Sequence, residues 1–258
     1  MAVRVAADIG NSRIAFADFE GDAMVRKWHH PLSAVKKSAR EIAERRLAGE
    51  DLAICVSSVV PSATGLLTAI VEEAGIAVTR LRVDEQTIIK STYPTMGTDR
   101  LANAIAGHRL YGEPGKTVAV IDFGSATTLT AVDSRGSLLG GLITLGLKTT
   151  LTALNASLEQ LPILSLAQKI EAGKLTVFAG TTEDAILNGT ILSHLAMVES
   201  WLKKCRELSQ EPVIFIATGG LAHIVSGALP EEILVDQDLT LKGINLFGQE
   251  AEDPGDRA

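Results

Sequence analysis

The 258-residue sequence predicts an α/β protein of two similar domains, each a mixed five-stranded sheet flanked by helices, with a cleft between them. Three observations lead there. The stretch Val118 to Thr128, V-A-V-I-D-F-G-S-A-T-T, runs an apolar strand into Asp122, Gly124 and a cluster of hydroxyls, and an apolar pattern resumes from Leu129 to Val132. Val3 to Ser12, V-R-V-A-A-D-I-G-N-S, repeats the arrangement with Asp8 and Gly10, ahead of a second apolar run from Ile14 to Phe19. Between the two copies, strand-like and helix-like segments alternate.

Each copy reads as a hairpin whose tip offers a carboxylate, a glycine that lets backbone approach a ligand, and short hydroxyl or amide donors, the chemistry of a phosphate loop. One such hairpin alone is equally an ordinary strand and turn. Its repetition, once per half, favours two loops serving one cleft.

Bulk properties exclude several classes. A 46% hydrophobic chain with 4% aromatics has a sizeable aliphatic core, and its net charge of −7 argues against a nucleic-acid partner, because binding phosphate backbones needs a basic surface. Cys55 and Cys205 have no metal-ligand spacing, which fits a reduced, cytoplasmic chain. No apolar segment reaches the ~20 residues that span a bilayer, and the N-terminal apolar residues, interrupted by Arg4 and Asp8, read as fold rather than signal peptide.

Taken in order, the first hairpin is followed by a turn at Gly21-Asp22 and a third strand from Ala23 to Trp28. His29 and His30 read as a polar loop before Pro31, since no third metal ligand is nearby. Leu32 to Ala48 is a solvated amphipathic helix, and Leu52 to Val60 a buried strand ended by Pro61-Ser62. A helix from Ala63 capped by Gly75 and a strand from Ile76 to Val83 complete the half. This order of strands and helices resembles the repeating half of the actin-like, sugar-kinase-like ATPases.

In Lys90 to Gly107, K-S-T-Y-P-T-M-G-T-D-R-L-A-N-A-I-A-G, Tyr93-Pro94 is extended and Gly97 a turn. Thr98 or Asp99 caps a helix from Arg100 to about Leu110. An Asp-Arg pair at a helix start is either a cap beside a surface arginine or an acid facing a site with an arginine clamp for an anion. Gly112 to Lys116 is the linker, dividing the chain into domains 1–112 and 113–258.

In the second half, Leu138 to Thr144 reads as a glycine-softened strand, and Lys148 to Leu161 as a helix whose face of Leu147, Leu151, Leu154 and Leu158 is core or subunit contact. Thr176 to Ala179 is a short strand. Gly180-Thr181-Thr182-Glu183-Asp184 opens a helix from Ala185 to about Cys205, as caps or as hydroxyls for a substrate. Val213 to Ala217 is a strand running into Thr218-Gly219-Gly220 and a short helix. Those glycines allow either an adenine against bare backbone or close strand–helix packing. Gln249 to Ala258 is a loose tail.

D-I-G-N-S at Asp8 to Ser12, Y-P-T-M-G-T-D-R at Tyr93 to Arg100 and D-F-G-S-A-T-T at Asp122 to Thr128 together resemble the type III pantothenate kinase family. G-G-L-I-T-L-G-L at Gly140 to Leu147, G-T-T-E-D-A-I-L-N-G at Gly180 to Gly189 and T-G-G at Thr218 to Gly220 extend the likeness over nearly the whole chain. The resemblance implies two actin-like (ribonuclease H-like) domains and ATP-dependent phosphorylation of pantothenate, the first step towards coenzyme A. It implies that Asp8, Ile9, Gly10, Asn11, Ser12, Arg13, Ile14 and Ala15 form the first nucleotide loop, with Asp8 near Mg2+ and Ser125 on ATP. Asp99 is then the general base, and Tyr93, Gly97, Thr98, Asp99, Arg100 and Thr182 bind pantothenate. Asp122 is implied to hold a monovalent cation, K+ or NH4+, and the family's homodimeric state is implied as well. Ser12 and Ser125 stand where the family usually has threonine, Thr130 where many members have a second aspartate, and Leu145 where many have proline. The rival reading, a catalytically weak regulator of the same fold, predicts loss of Asp8, Asp99 or Arg100, and all three are present.

Overall fold

The computed structural model describes residues 3–157, 162, 164, 175–229 and 232–252. Its first sheet is built on β1 (Val3–Ile9), which forms an antiparallel hairpin with β2 (Arg13–Glu20) and runs parallel to β4 (Leu52–Ser58). The edges are β3 (Ala23–Pro31) and β5 (Ala77–Arg80), giving the order β3-β2-β1-β4-β5. Parallel strands need a crossover, and the chain supplies it as a short 3-10 turn at Leu32–Ala34 and α1 (Val35–Leu47), with α2 (Pro61–Glu73) between β4 and β5. Pro61 is the first residue of α2, where its missing N–H costs nothing.

Strand alternation then sorts the faces. Val5, Ala7 and Ile9 pack with Ala39 and Ile42 of α1 and with Ala63, Leu67 and Val71 of α2 in one buried aliphatic cluster. Arg4, Ala6 and Asp8 alternate onto the opposite face. There α7 (Leu239–Glu252) packs, pairing Arg4 with Glu252 and placing Asn245 Oδ1 3.1 Å from Arg4 Nη1. Asp8 continues that face at the strand's carboxyl end.

The second sheet repeats the plan. Its central strand β6 (Thr117–Phe123) forms a hairpin with β7 (Ala126–Val132) and runs parallel to β9 (Val213–Thr218). With β8 (Leu138–Leu145) and β10 (Leu234–Val235) at the edges, the order is β10-β9-β6-β7-β8, the first sheet's order read from the other edge. Ala119, Ile121 and Phe123 face a cluster shared with Leu147 of α4 (Leu147–Ser157), Ile191, Leu195, Val198 and Leu202 of α5 (Thr182–Leu208), and Ala222 and Val225 of α6 (Ala222–Ser226). Asp122 lies on the opposite face, level with Thr128 on β7 and Thr218 on β9.

By their contacts the residues form two compact units, one of Met1–Leu110, Gly136–Leu138 and Asp238–Ala258, the other of Tyr111–Arg135 and Leu139–Gln237. The sequence reading divided the chain once, after residue 112, and placed residues 238–258 with the second half. Two contacts explain why they group with the first: α7 packs on β1 and β4, and Gly243 lies against Ala102 in α3 (Thr98–Tyr111). Lys90 likewise draws in the following hairpin turn, its N–H donating to Gly136 O at 2.8 Å and its carbonyl accepting from Leu138 N at 2.9 Å.

Several local expectations change. His29 and His30 end strand β3 instead of lying in a loop, and Gln249 to Glu252 complete α7 instead of starting a loose tail. No strand forms at Thr176 to Ala179, where Val177 and Phe178 are exposed. The helix read to Leu161 is described to Ser157; Leu158 to Leu161, like 253–258 of the tail, lie outside the described residues.

A Cβ on Gly243 would fall 1.9 Å from the backbone oxygen of Ala102, so α7 can approach α3 this closely here because Gly243 has no side chain. Gly243→Ala is therefore expected to destabilise the fold by about 1–3 kcal/mol, the usual cost of overpacking, despite alanine's better helix propensity. Urea unfolding measures it, and an unchanged or raised midpoint would contradict this packing.

Candidate active site

In the first unit, the turn between β1 and β2 is closed by Gly10 N donating to Arg13 O at 3.0 Å. This exposes Asn11, Ser12 and Arg13 and leaves Gly10 and Asp8 half-buried. Ile9 and Ile14 point into the core and shape the loop from below, whereas Ala15, also buried, pairs with Asp8 on the opposite face of the sheet.

The second feature of this unit is the start of α3. Tyr93 to Met96 form a turn with Met96 N on Tyr93 O at 3.0 Å, and Pro94 supplies its fixed φ. The turn thus falls ahead of Gly97, where the sequence suggested it. The helix begins at Thr98, so neither Thr98 nor Asp99 is a flanking cap. Thr98 Oγ1 accepts from Ser57 Oγ and Ser58 N, both at 3.0 Å, and donates to Ser58 O at 3.1 Å. A hydroxyl has one proton and two lone pairs, so the carboxyl end of β4 saturates this side chain and pins the helix start to the sheet.

Asp99 Oδ1 accepts the Arg100 N–H at 2.8 Å. That same oxygen occupies the space beside Gly97 where a Cβ would sit, 2.5 Å away, so Gly97 makes room for the carboxylate. Arg100 is buried, and its Nη1 donates to Tyr93 Oη at 2.6 Å. Tyr93 itself is exposed at its rim. An acid, a buried guanidinium and a phenol are thus held together within eight residues of sequence.

In the second unit, the tip between β6 and β7 is closed by Gly124 N donating to Ala126 O at 3.1 Å, which exposes Ser125. The Ser125 carbonyl accepts from Gly146 N at 2.9 Å and from Thr149 Oγ1 at 2.6 Å, so the start of α4 clamps the tip. Gly146 can have no side chain, because a Cβ would lie 2.2 Å from Gly124 O. On the other flank Gly219, at φ +89°, presses on Asp122 and Phe123, where a Cβ would come within 2.4 Å of Asp122 Oδ1. Close strand–helix packing therefore accounts for Gly219 at the T-G-G turn. Thr182 is exposed in the first turn of α5, whose Thr181 hydroxyl accepts from Asp184 N at 3.1 Å as its cap.

Two side chains gain a partner or lack one in a way the sequence did not signal, although Thr218 reads as the start of the T-G-G turn. His194, buried on α5, places Nε2 3.1 Å from Thr127 Oγ1 and its ring 6.3 Å from that of Phe123. Thr218 Oγ1 is buried and, among the described residues, has no hydrogen-bond partner, although it is level with Asp122 on the same face. Only the assembled sheet reveals either.

The donor set suits hard cations. Asp122 and the Thr218 hydroxyl are hard oxygen donors on one face of the sheet. Among the described residues no cluster of three or more Asp, Glu, His or Cys could hold a metal. A divalent ion at Asp8 would therefore depend on phosphate oxygens for most of its shell, the usual habit of Mg2+.

A family model described as type III pantothenate kinase matches residues 4–204. Type III pantothenate kinases of Rhodospirillum rubrum and Rhodospirillum centenum are 31% and 33% identical to the chain, covering 93% and 95% of it and 95% and 97% of their own lengths. One from Thermus thermophilus is 31% identical over 93% of this chain and 96% of its own. Among solved structures, a conserved Baf family protein of Campylobacter jejuni has a TM-score of 0.58 at 17% identity, covering 97% of this chain and 99% of that one. The ROK hexokinase of Thermus thermophilus has a TM-score of 0.53 at 18% identity, covering 95% of this chain and 98% of that one. Likenesses at such identities concern the fold alone, which is the two-domain, actin-like fold of the sugar kinases.

Burial lowers the His194 pKa below its ordinary 6.5. Above that pH, folded and unfolded chains both hold a neutral ring; below it the unfolded chain protonates first, so stability declines with falling pH until the depressed folded value is passed. His194→Gln is expected to lack this part of the acid slope in urea unfolding between about pH 5 and 8. An identical slope in the variant would mean that His194 titrates normally.

Proposed function

This chain belongs to the type III pantothenate kinase family, which phosphorylates pantothenate with ATP at the start of coenzyme A synthesis, and we propose that it does so with Asp99 as general base. The observation that carries this assignment is the first turn of α3. With Oδ1 of Asp99 held by the Arg100 amide, Oδ2 is left for the primary hydroxyl of pantothenate. Arg100, aligned by Tyr93, takes the pantothenate carboxylate through its guanidinium. Thr98 contributes through backbone, its hydroxyl being committed to β4, and Thr182 offers an exposed hydroxyl from α5.

The alcohol oxygen attacks the γ-phosphorus of ATP, the bond to the ADP oxygen breaks, and the alcohol proton passes to Asp99. A loose phosphoryl-transfer transition state asks the protein for alignment and charge neutralisation more than for bond-making. An aspartate serves because the proton moves late and the carboxylate also orients the hydroxyl. The loop of residues 8–15, through Gly10 to Arg13, and Ser125 bind the nucleotide phosphates. Asp8 would hold Mg2+, which would offset charge on the triphosphate, and Asp122 and Thr218 would hold K+ or NH4+, adding positive charge.

A homodimer is supported by β8, an edge strand with Leu139, Leu142, Ile143 and Leu145 all exposed, since apolar edge strands are normally covered. Among the described residues no helix is long and apolar enough to cross a membrane, and a cytoplasmic location fits the substrates.

In an ADP-coupled assay with pantothenate, Asp99→Asn is expected to keep the Arg100 amide bond and the unfolding midpoint while losing ~100-fold or more in kcat. Arg100→Lys is expected to raise KM for pantothenate and leave that for ATP. Wild-type turnover in the first variant, or equal weakening of both substrates in the second, would remove these roles.

For the cation, KCl is expected to raise the wild-type thermal midpoint without nucleotide, NaCl at equal ionic strength to raise it less, and Asp122→Ala to abolish the difference. A difference that survives in Asp122→Ala would place the ion elsewhere.

A further inference from the structure

We propose that His194 is a positioning residue for the nucleotide loop at Gly124 and Ser125, acting through Thr127. The proposal rests on the reading of Ser125 as an ATP contact. The tip of that loop is clamped on its carbonyl side by Gly146 and Thr149, both at the start of α4. The loop then returns into β7, against which α4 also packs. There the first ladder pair is Phe123 with Thr127, and both side chains point to the helix-covered face. Thr127 is fully buried, and its hydroxyl meets Nε2 of His194 at 3.1 Å while the Phe123 ring leans on the same imidazole at 57°. One side chain from the middle of α5 therefore touches both residues that flank the tip.

Core stability does not call for this pair. The surrounding residues are Ile121, Leu129, Ile191, Leu195 and Val198, and a valine facing a leucine would fill such a site without a hydrogen bond to satisfy. What the polar pair adds is direction: a buried hydroxyl can meet a ring nitrogen in few rotamers, so the hydrogen bond selects one arrangement of the loop's return. Burial keeps the imidazole neutral, so it bonds the hydroxyl without placing a positive charge in the apolar cluster. Because α5 begins at Thr182, the same rigid helix carries a substrate hydroxyl and the support of the nucleotide loop.

Calorimetric titration with a non-hydrolysable ATP analogue and Mg2+ tests this without turnover. Thr127→Val and His194→Leu are each expected to weaken analogue binding about fivefold, the scale of one net hydrogen bond. The double variant is expected to be no weaker than either single, as coupled partners behave. His194→Gln, whose amide reaches the Nε2 position, is expected to stay within about twofold of wild type. KM for pantothenate is expected to be unchanged in all four. Losses that add in the double variant, or a lowered unfolding midpoint with unchanged analogue affinity, would overturn the proposal and leave His194 a core residue. Analogue binding that follows this pattern in a chain that fails to phosphorylate pantothenate would sink the kinase reading instead.

Discussion

Parallel pairing of a central strand with its neighbour, β1 with β4 and β6 with β9, is the constraint on which the rest of the molecule depends. A parallel pair cannot be closed by a tight turn, so helical crossovers must cover both faces. Its strands also end together, and in open α/β sheets ligand groups gather at those carboxyl ends. Here each end is organised by the neighbouring strand. Ser57 and Ser58 of β4 saturate Thr98 and so aim the helix that carries Asp99 and Arg100. Thr218 of β9 stands level with Asp122, and Gly219 immediately after it packs on that carboxylate. The antiparallel hairpins on the other side supply the loops; the parallel neighbours set where their acids stand.

The sequence made the duplicated plan readable because its signals are local. A buried strand, an acid, a glycine and hydroxyls recur within ten residues at Asp8 and Asp122, and the two sheets do share one strand order. The grouping at α3 was legible for the same reason, since Tyr93, Gly97, Asp99 and Arg100 lie within eight residues and their mutual contacts are short-range. The same proximity misled about capping. Thr98 has a cap-forming side chain, but a strand distant in sequence claims its hydroxyl.

What was not legible depends on contacts between distant segments. Leu239, Leu241, Ile244 and Phe247 give α7 an apolar face, yet Gly243 and Gly248 weaken any helix reading made from propensity. Ala102 leaves no room for a Cβ on Gly243, and a Cβ on Gly248 would come within 2.7 Å of the Arg4 side chain, facts that exist only after folding. The polar end of α7 looked like a tail, but Gln249 Nε2 meets Asp22 at 2.9 Å and Glu250 lies 3.5 Å from Arg109. His194 is a lone histidine on the buried face of α5, and only its alignment with Thr127 distinguishes it from ordinary core.

Within each unit the parts proposed for catalysis are held rigidly. Phosphoryl transfer gains from accurate placement, because misplacement by about 1 Å can cost a hundredfold in rate. The contacts that hold those parts are of the stiffest kinds: backbone against backbone at Gly146 and Gly219, a saturated hydroxyl at Thr98, a carboxylate tied to its neighbouring amide at Asp99. Flexible ion pairs lie elsewhere, on exposed pairs such as Arg82 with Asp84, where solvent screening leaves them little influence. Stiff contacts at the loops and loose ones at the rim are what a chemistry governed by alignment requires.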